Sequence, residues 1–397
     1  MPAEVRAEVG RPGRSVSSSQ DDREYSAWVP APLPPVIQWD GTLASALAQA
    51  GHSLGELAGI GRNLPNPHLL ISPFLRKEAV LSSRIEGTQA TIADVYAYEA
   101  QLPLPGMAED LVSTGRGRGD VQEVLSYVRA LNHGLAVTAE RPVTLSLVRD
   151  LHKILMTGVR GQEKTPGEFR ERQNVIGPPG ADLSTATYIP PPVLHMRDCL
   201  EGLERYILTP DNQDHPLVRI ALIHYQFEAI HPFNDGNGRL GRLLISLLTV
   251  AWGMLPHPLL YLSAYFEGER ETYYAALRGV TERGAWPEWL AFFLNGVREQ
   301  ALDAARRAKR LEDLRVDFTS RVADARMQAI ANKLIAGLFA QPVVSIASAA
   351  AIMDAKYHLA RRYVHKLIEL GVLTPYSQIG HTDYFIAVEI MAAVGDK

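Results

Sequence analysis

The sequence predicts a mainly α fold: a helical core carrying one small β-hairpin flap, followed by a small C-terminal unit of helices and strands. Three observations predict it. Apolar residues recur at helical spacing from Leu43 to Gln300. The stretch 174–190 breaks that period, with two short β-prone ends around a Gly/Pro centre. Beyond a charged helix, residues 326–397 read as two short helices and then a strand pair.

Taken in order, residues 1–24 are polar and rich in Gly, Ser and charge, and read as disordered. The Pro-rich run 29–35 is an extended lead-in. An N-terminal helical region, 25–115, contains a helix over 73–86. Ser72 is its N-cap, Pro73 takes the first position, and Gly87 follows the last turn. The core, 116–300, holds helices at 121–135, 145–157, 193–207 and 216–230. Another starts inside a Gly-rich segment and runs through 240–251, and two more lie at 273–282 and 286–295. A charged helix, 298–317, runs into a connecting segment, 301–325. The final unit places helices at 345–353 and 359–370 and strands at 372–376 and 384–388. Helix–turn–helix plus hairpin is winged-helix-like.

The 397 residues are 46% hydrophobic and 21% charged, an ordinary globular balance. A net charge of −4 gives no sign of a nucleic-acid coat or a membrane-surface protein. One cysteine, Cys199, excludes an internal disulfide and a Cys-rich metal site, and fits a reducing compartment. The first twenty residues lack an apolar leader, and the longest apolar run, 243–253, is too short to span a bilayer. A soluble, cytoplasmic protein is expected.

The chemistry concentrates in His231-Pro-Phe-Asn-Asp-Gly-Asn-Gly-Arg-Leu-Gly-Arg242. Gly236, Asn237 and Gly238 open a helix whose free N–H groups and dipole suit a phosphate chain. Arg239 and Arg242, three apart, share a face of the first turn and favour a polyphosphate. Asp235 would hold Mg²⁺ between phosphate oxygens. His231 is a general base for a hydroxyl nucleophile. The run also spells Gly236-x-Gly238-x-x-Gly241, but a dinucleotide fingerprint must follow a strand, and 216–230 reads as a helix. No kinase element accompanies it. His224, Glu228 and His231 imitate a metal triad, and His224 and Glu228 read instead as structural.

From His231 to Arg242 the sequence resembles the Fic family, whose motif is HPFx(D/E)GNGRxxR. That resemblance implies a Fic-type helical core and transfer of AMP from ATP to a Ser, Thr or Tyr hydroxyl of a protein. It implies that His231 deprotonates the hydroxyl and Asp235 binds Mg²⁺. Gly236, Asn237, Gly238 and Arg239 would hold the phosphates, and Arg242 the γ-phosphate. The related Doc phosphotransferases carry lysine at the place of Arg239, which favours AMP transfer here. Ser82-Ser-Arg-Ile-Glu86-Gly87 resembles the family's inhibitory helix, so Glu86 would compete for Arg242. The flap, 174–190, would dock an extended target segment. Tyr273 and Tyr274 would wall the adenine, or belong to the core. Removal of AMP by the same site, a homodimer, and DNA binding through Lys356, Arg361, Arg362, His365 and Lys366 remain open at this point.

Overall fold

The first regular element is one the composition hides. The computed structural model describes residues 12–63, 67–101, 118–178, 180–209, 213–322, 325–379 and 382–395. In it, β1 (Gly13–Gln20) and β2 (Arg23–Pro30) form an antiparallel hairpin, in register from Gln20↔Arg23 to Gly13↔Pro30. Asp21 and Asp22 supply the turn at φ 52 and 62, the doubly positive geometry that a two-residue hairpin favours. Along β2, Ala27 and Val29 are buried while Glu24 and Ser26 are exposed. That alternation anchors the serine-rich partner strand. The expectation of disorder is therefore corrected for 12–24, and 1–11 lie outside the described residues.

Helix α1 (Gly41–Asn63) follows, with Leu43 N–H donating to the Asp40 carboxylate at 2.7 Å. Next come α2 (Pro67–Ile85), α3 (Ile92–Gln101), α4 (Arg118–Thr138), α5 (Leu145–Met156) and α6 (Val193–Leu208). Two corrections concern α2. It begins at Pro67, so Pro73 lies inside it, and Ser72 binds Arg76 instead of capping the helix. Its last helical residue is Ile85, and Gly87 at φ 98 turns the chain out.

Helices α7 (Pro216–Ile230) and α8 (Asn237–Ala251) form the centre. Nearly every residue of α7 is buried, as befits a helix apolar all round. The loop joining α7 to α8, His231–Gly236, is thereby held between two buried elements. Around them stand α9 (Ser263–Gly268), α10 (Arg270–Arg283) and α11 (Trp286–Arg321). The last is one helix of 36 residues, where the sequence suggested two and a boundary at 300. Gly296 lies inside it and lets Tyr265 pack close, 2.6 Å from where a Cβ would stand.

The C-terminal unit comprises α12 (Ala325–Ala340), β3 (Val343–Ser345), α13 (Ile346–Met353), α14 (Tyr357–Glu369), β4 (Thr374–Ile379), β5 (Thr382–Ile386) and α15 (Val388–Val394). The expected helix pair and hairpin are present, and β3 adds a third strand in the order β3-β5-β4. Tyr96 and Ala100 of α3 pack with Val343, Tyr384 and Ile386, so this unit braces the region that carries α2. The fold is mainly α, as the periodicity implied. Among the described residues no helix is long and apolar enough to cross a membrane.

Candidate active site

His231 is the C-cap of α7, in the left-handed conformation at φ 49. Pro232 and Phe233 carry the chain on, and Gly236 at φ 77 opens α8, where a Cβ would stand 2.7 Å from Met156 Sδ. The loop is braced from several elements. His152 of α5 stacks on Phe233 with ring centroids 3.8 Å apart. Its Nδ1 accepts from Gly167 N–H at 2.8 Å, so Nε2 bears the proton and donates to the Asp235 carbonyl at 3.0 Å. Buried Arg170 donates from Nε to the His231 carbonyl at 3.0 Å, and Asn174 Nδ2 donates to the Phe233 carbonyl at 2.9 Å. None of these braces is visible in the motif. They come from other parts of the chain and have no signature of their own.

Burial, with Arg170 nearby, pushes the His231 imidazole down to about 4 against the opposing pull of Glu86. It is therefore neutral at physiological pH, as a base must be. Asp235 is partly exposed, with 42% of its side-chain area accessible, and its Oδ1 accepts from Gly236 N–H at 2.6 Å. Gly161 lies against it, where a Cβ would come 2.7 Å from Oδ2. Among the described residues no group of three His, Cys, Asp or Glu is placed to hold a metal ion. That removes the His224–Glu228–His231 triad, and His224 instead bonds to the Tyr273 hydroxyl at 2.8 Å in the core. Glu228 stays in the site, its carboxyl pushed up to about 7 by burial, and Gly241 leaves it room.

The Gly-rich residues divide their work. Asn237 does not turn its side chain to a ligand. Its Nδ2 donates to the Phe233 carbonyl at 2.8 Å and its Oδ1 accepts from Phe233 N–H at 2.9 Å, so only its backbone faces an anion. Gly238 leaves room for the ion pair beside it: a Cβ there would push aside the Glu86 carboxylate and the Arg242 guanidinium, the movable ends of both side chains.

Both arginines are buried and both meet carboxylates. Arg242 donates from Nε to Ser82 Oγ (2.9 Å), and from its second terminal nitrogen to the Ser82 carbonyl (2.9 Å) and to Glu86 Oε1 (2.6 Å). Burial raises the Glu86 pKa, but the Arg242 charge and hydrogen bond outweigh it and hold the carboxyl below its ordinary value. Arg239 meets Glu123 of α4 at 3.1 Å. Tyr273 is 1% exposed and stacked on Phe266 at 4.5 Å, so it is core. Tyr274, 39% exposed, remains at the surface beside it.

The flap is smaller than the sequence suggested. One antiparallel bridge, Ile176↔Tyr188, closes it, because Gly177, Pro178 and Gly180 cannot continue a ladder. It is held from outside by β2, whose Trp28 N–H donates to the Ile189 carbonyl at 2.9 Å.

Helix-start N–H groups, two buried arginines and a neutral imidazole together could hold a chain of phosphates and accept a proton from a hydroxyl. Residues 44–136 match the family described as Fic/DOC family N-terminal, and residues 142–249 match the Fic/DOC family. The chain belongs to the Fic/DOC family. Among its relatives is a protein adenylyltransferase Fic of Drosophila ananassae, 27% identical over 43% of this chain and 31% of that protein. Another, of Aedes aegypti, is 30% identical over 36% of this chain and 27% of that protein. The match thus spans about a third of the length of these relatives. A solved Fic family protein from Desulfovibrio desulfuricans G20 shares the fold, with TM-score 0.53 at 18% identity over 89% of this chain and 98% of that one.

Proposed function

We propose that this chain is a self-inhibited protein adenylyltransferase, transferring AMP from ATP to a Ser, Thr or Tyr hydroxyl of a target protein with release of pyrophosphate. The observation that carries the reading is the 2.6 Å contact of Glu86 with Arg242 at the mouth of the helix-start cradle. A phosphate chain on the α8 N-terminus would bring its terminal phosphate to Arg242, where Glu86 already sits. One guanidinium cannot fully serve both anions. With Glu86 in place, ATP is held in an unproductive pose.

When Glu86 withdraws, Arg242 takes the γ-phosphate and Arg239 the inner phosphates. His231, neutral, removes the proton of the target hydroxyl. The oxygen then bonds to the α-phosphorus as the bond to pyrophosphate breaks. The single, partly exposed carboxylate of Asp235 suits Mg²⁺, which keeps waters and phosphate oxygens besides one or two carboxylates. Bound there, the ion would neutralise phosphate charge. An extended target segment would dock on the flap, 174–190, through main-chain hydrogen bonds.

The test uses ATP labelled at either end. In the Glu86→Gly variant, protein should retain label from the α-phosphate and none from the γ-phosphate. Retention of γ-label alone would mean phosphoryl transfer instead. A DNA-binding role for the C-terminal unit is a second reading, favoured by the exposure of Arg361, Arg362 and His365 on one face of α14. DNA affinity of the full chain that falls steeply with salt would support it, and no measurable affinity would end it.

A further inference from the structure

We propose that Glu123 is the positioning residue of Arg239, holding its guanidinium at the phosphate cradle from a helix outside the motif. The proposal rests on the adenylyltransferase reading and deepens it. Glu123 lies on α4, and its side chain is 2% exposed. Its Oε2 is 3.1 Å from one Arg239 terminal nitrogen and accepts from the Thr88 hydroxyl at 3.2 Å. Its Oε1 lies 3.6 Å from Nε of the exposed Arg160. A buried carboxylate is costly unless paired and hydrogen-bonded, and this one is both.

Arg239 depends on that carboxylate for its direction. Its other contacts are weak: the second terminal nitrogen is 3.7 Å from Asp235 Oδ1 and 3.4 Å from Met156 Sδ. Its Nε has no hydrogen-bond partner among the described residues. Without the Glu123 charge, the guanidinium would turn towards Asp235. There it would neutralise the carboxylate suited to Mg²⁺ and leave the phosphates. Arg239 is the side chain that meets charge moving towards pyrophosphate, so its misplacement acts on turnover more than on ATP affinity. Thr88 stands two residues beyond Glu86, across Gly87. The turn that brings Glu86 to Arg242 therefore also brings a hydroxyl to Glu123.

The experiment is a double-mutant cycle in the Glu86→Gly background, reading kcat and KM for ATP in AMP incorporation. Glu123→Gln keeps the volume and removes the charge. Expected is a kcat loss of roughly 10- to 100-fold, the scale on which residues that orient another ligand-holding side chain act, with a smaller change in KM. Adding Glu123→Gln to Arg239→Ala should cost nothing further, because the carboxylate works through that arginine. A purely structural role would instead lower the melting temperature and give additive losses. Glu123→Asp, charged but one methylene shorter, should give a partial kcat loss and guards against misfolding of the Gln variant. Full turnover in either Glu123 variant, or additivity with Arg239→Ala, overturns the proposal. Should Glu86→Gly alone transfer no AMP, the reading of the whole site fails; if it transfers AMP and the Glu123 variants equal it, only the positioning role fails.

Discussion

Replacing Glu86 with glycine removes a carboxylate and little else. Arg242 keeps both bonds to Ser82, so α2 retains its hold on the site. What is lost is one charge-assisted bond of 2.6 Å from a guanidinium 2% exposed to a carboxylate 34% exposed. Hydrogen bonds to charged groups contribute about 1.5–3 kcal/mol, and the accessible carboxylate places this one near the lower end, about 1.5–2 kcal/mol. At about 1.4 kcal/mol per factor of ten, Arg242 becomes roughly 10- to 30-fold more available to a γ-phosphate. The initial rate of AMP incorporation into lysate proteins from α-labelled ATP should rise by that factor. Glu86→Gln, which keeps an acceptor oxygen and loses the charge, should fall between. Equal rates for wild type and Glu86→Gly would refute the competition argument, and a slower variant would reverse it.

Other outcomes follow from the same geometry. His231→Ala in the Glu86→Gly background should abolish incorporation without lowering the melting temperature. With the imidazole at about 4, His231 should add no fall to kcat/KM of Glu86→Gly between pH 8 and pH 5. A fall centred on the ordinary histidine range that persists when Glu228, itself at about 7, is replaced by Gln would contradict a buried neutral base. His152 is also pushed down to about 4 by burial, so below pH 6.5 the unfolded chain takes up a proton that the folded chain refuses. Stability should therefore decline as pH falls from 6.5 to 4, by up to about 3 kcal/mol from this group. His152→Phe, which keeps the stack on Phe233, should flatten that part of the decline in melting temperature. Tyr273→Phe should cost about 1–2 kcal/mol in denaturant unfolding, by orphaning His224, and leave KM for ATP unchanged. Tyr274→Ala should do the reverse.

What was legible in the sequence was local. Helix α7 runs Pro216–Ile230, as read, because Pro216 starts it and His231 can take the left-handed cap. The run His231–Arg242 is contiguous, so its residues meet whatever the rest of the chain does. Long-range packing decided what was missed. Serine-rich β1 is a strand only because β2 buries Ala27 and Val29. Glu123 meets Arg239 across 116 residues, and nothing in the α4 sequence marks it. Nor does the motif show that the Asn237 side chain is spent on the Phe233 backbone, which leaves its main chain for the cradle. Tyr273 and Tyr274, adjacent in sequence, fall on opposite sides of the core boundary, and no periodicity could assign them.

As proposed, the site moves AMP and Glu86 holds it back. Mass spectrometry of a lysate incubated with ATP and the Glu86→Gly protein tests both parts together. The expected result is an adenylyl adduct on Ser, Thr or Tyr side chains, far weaker with the wild-type chain and absent with Glu86→Gly/His231→Ala. Phosphoryl adducts in place of adenylyl, or no adduct that depends on His231, would contradict it.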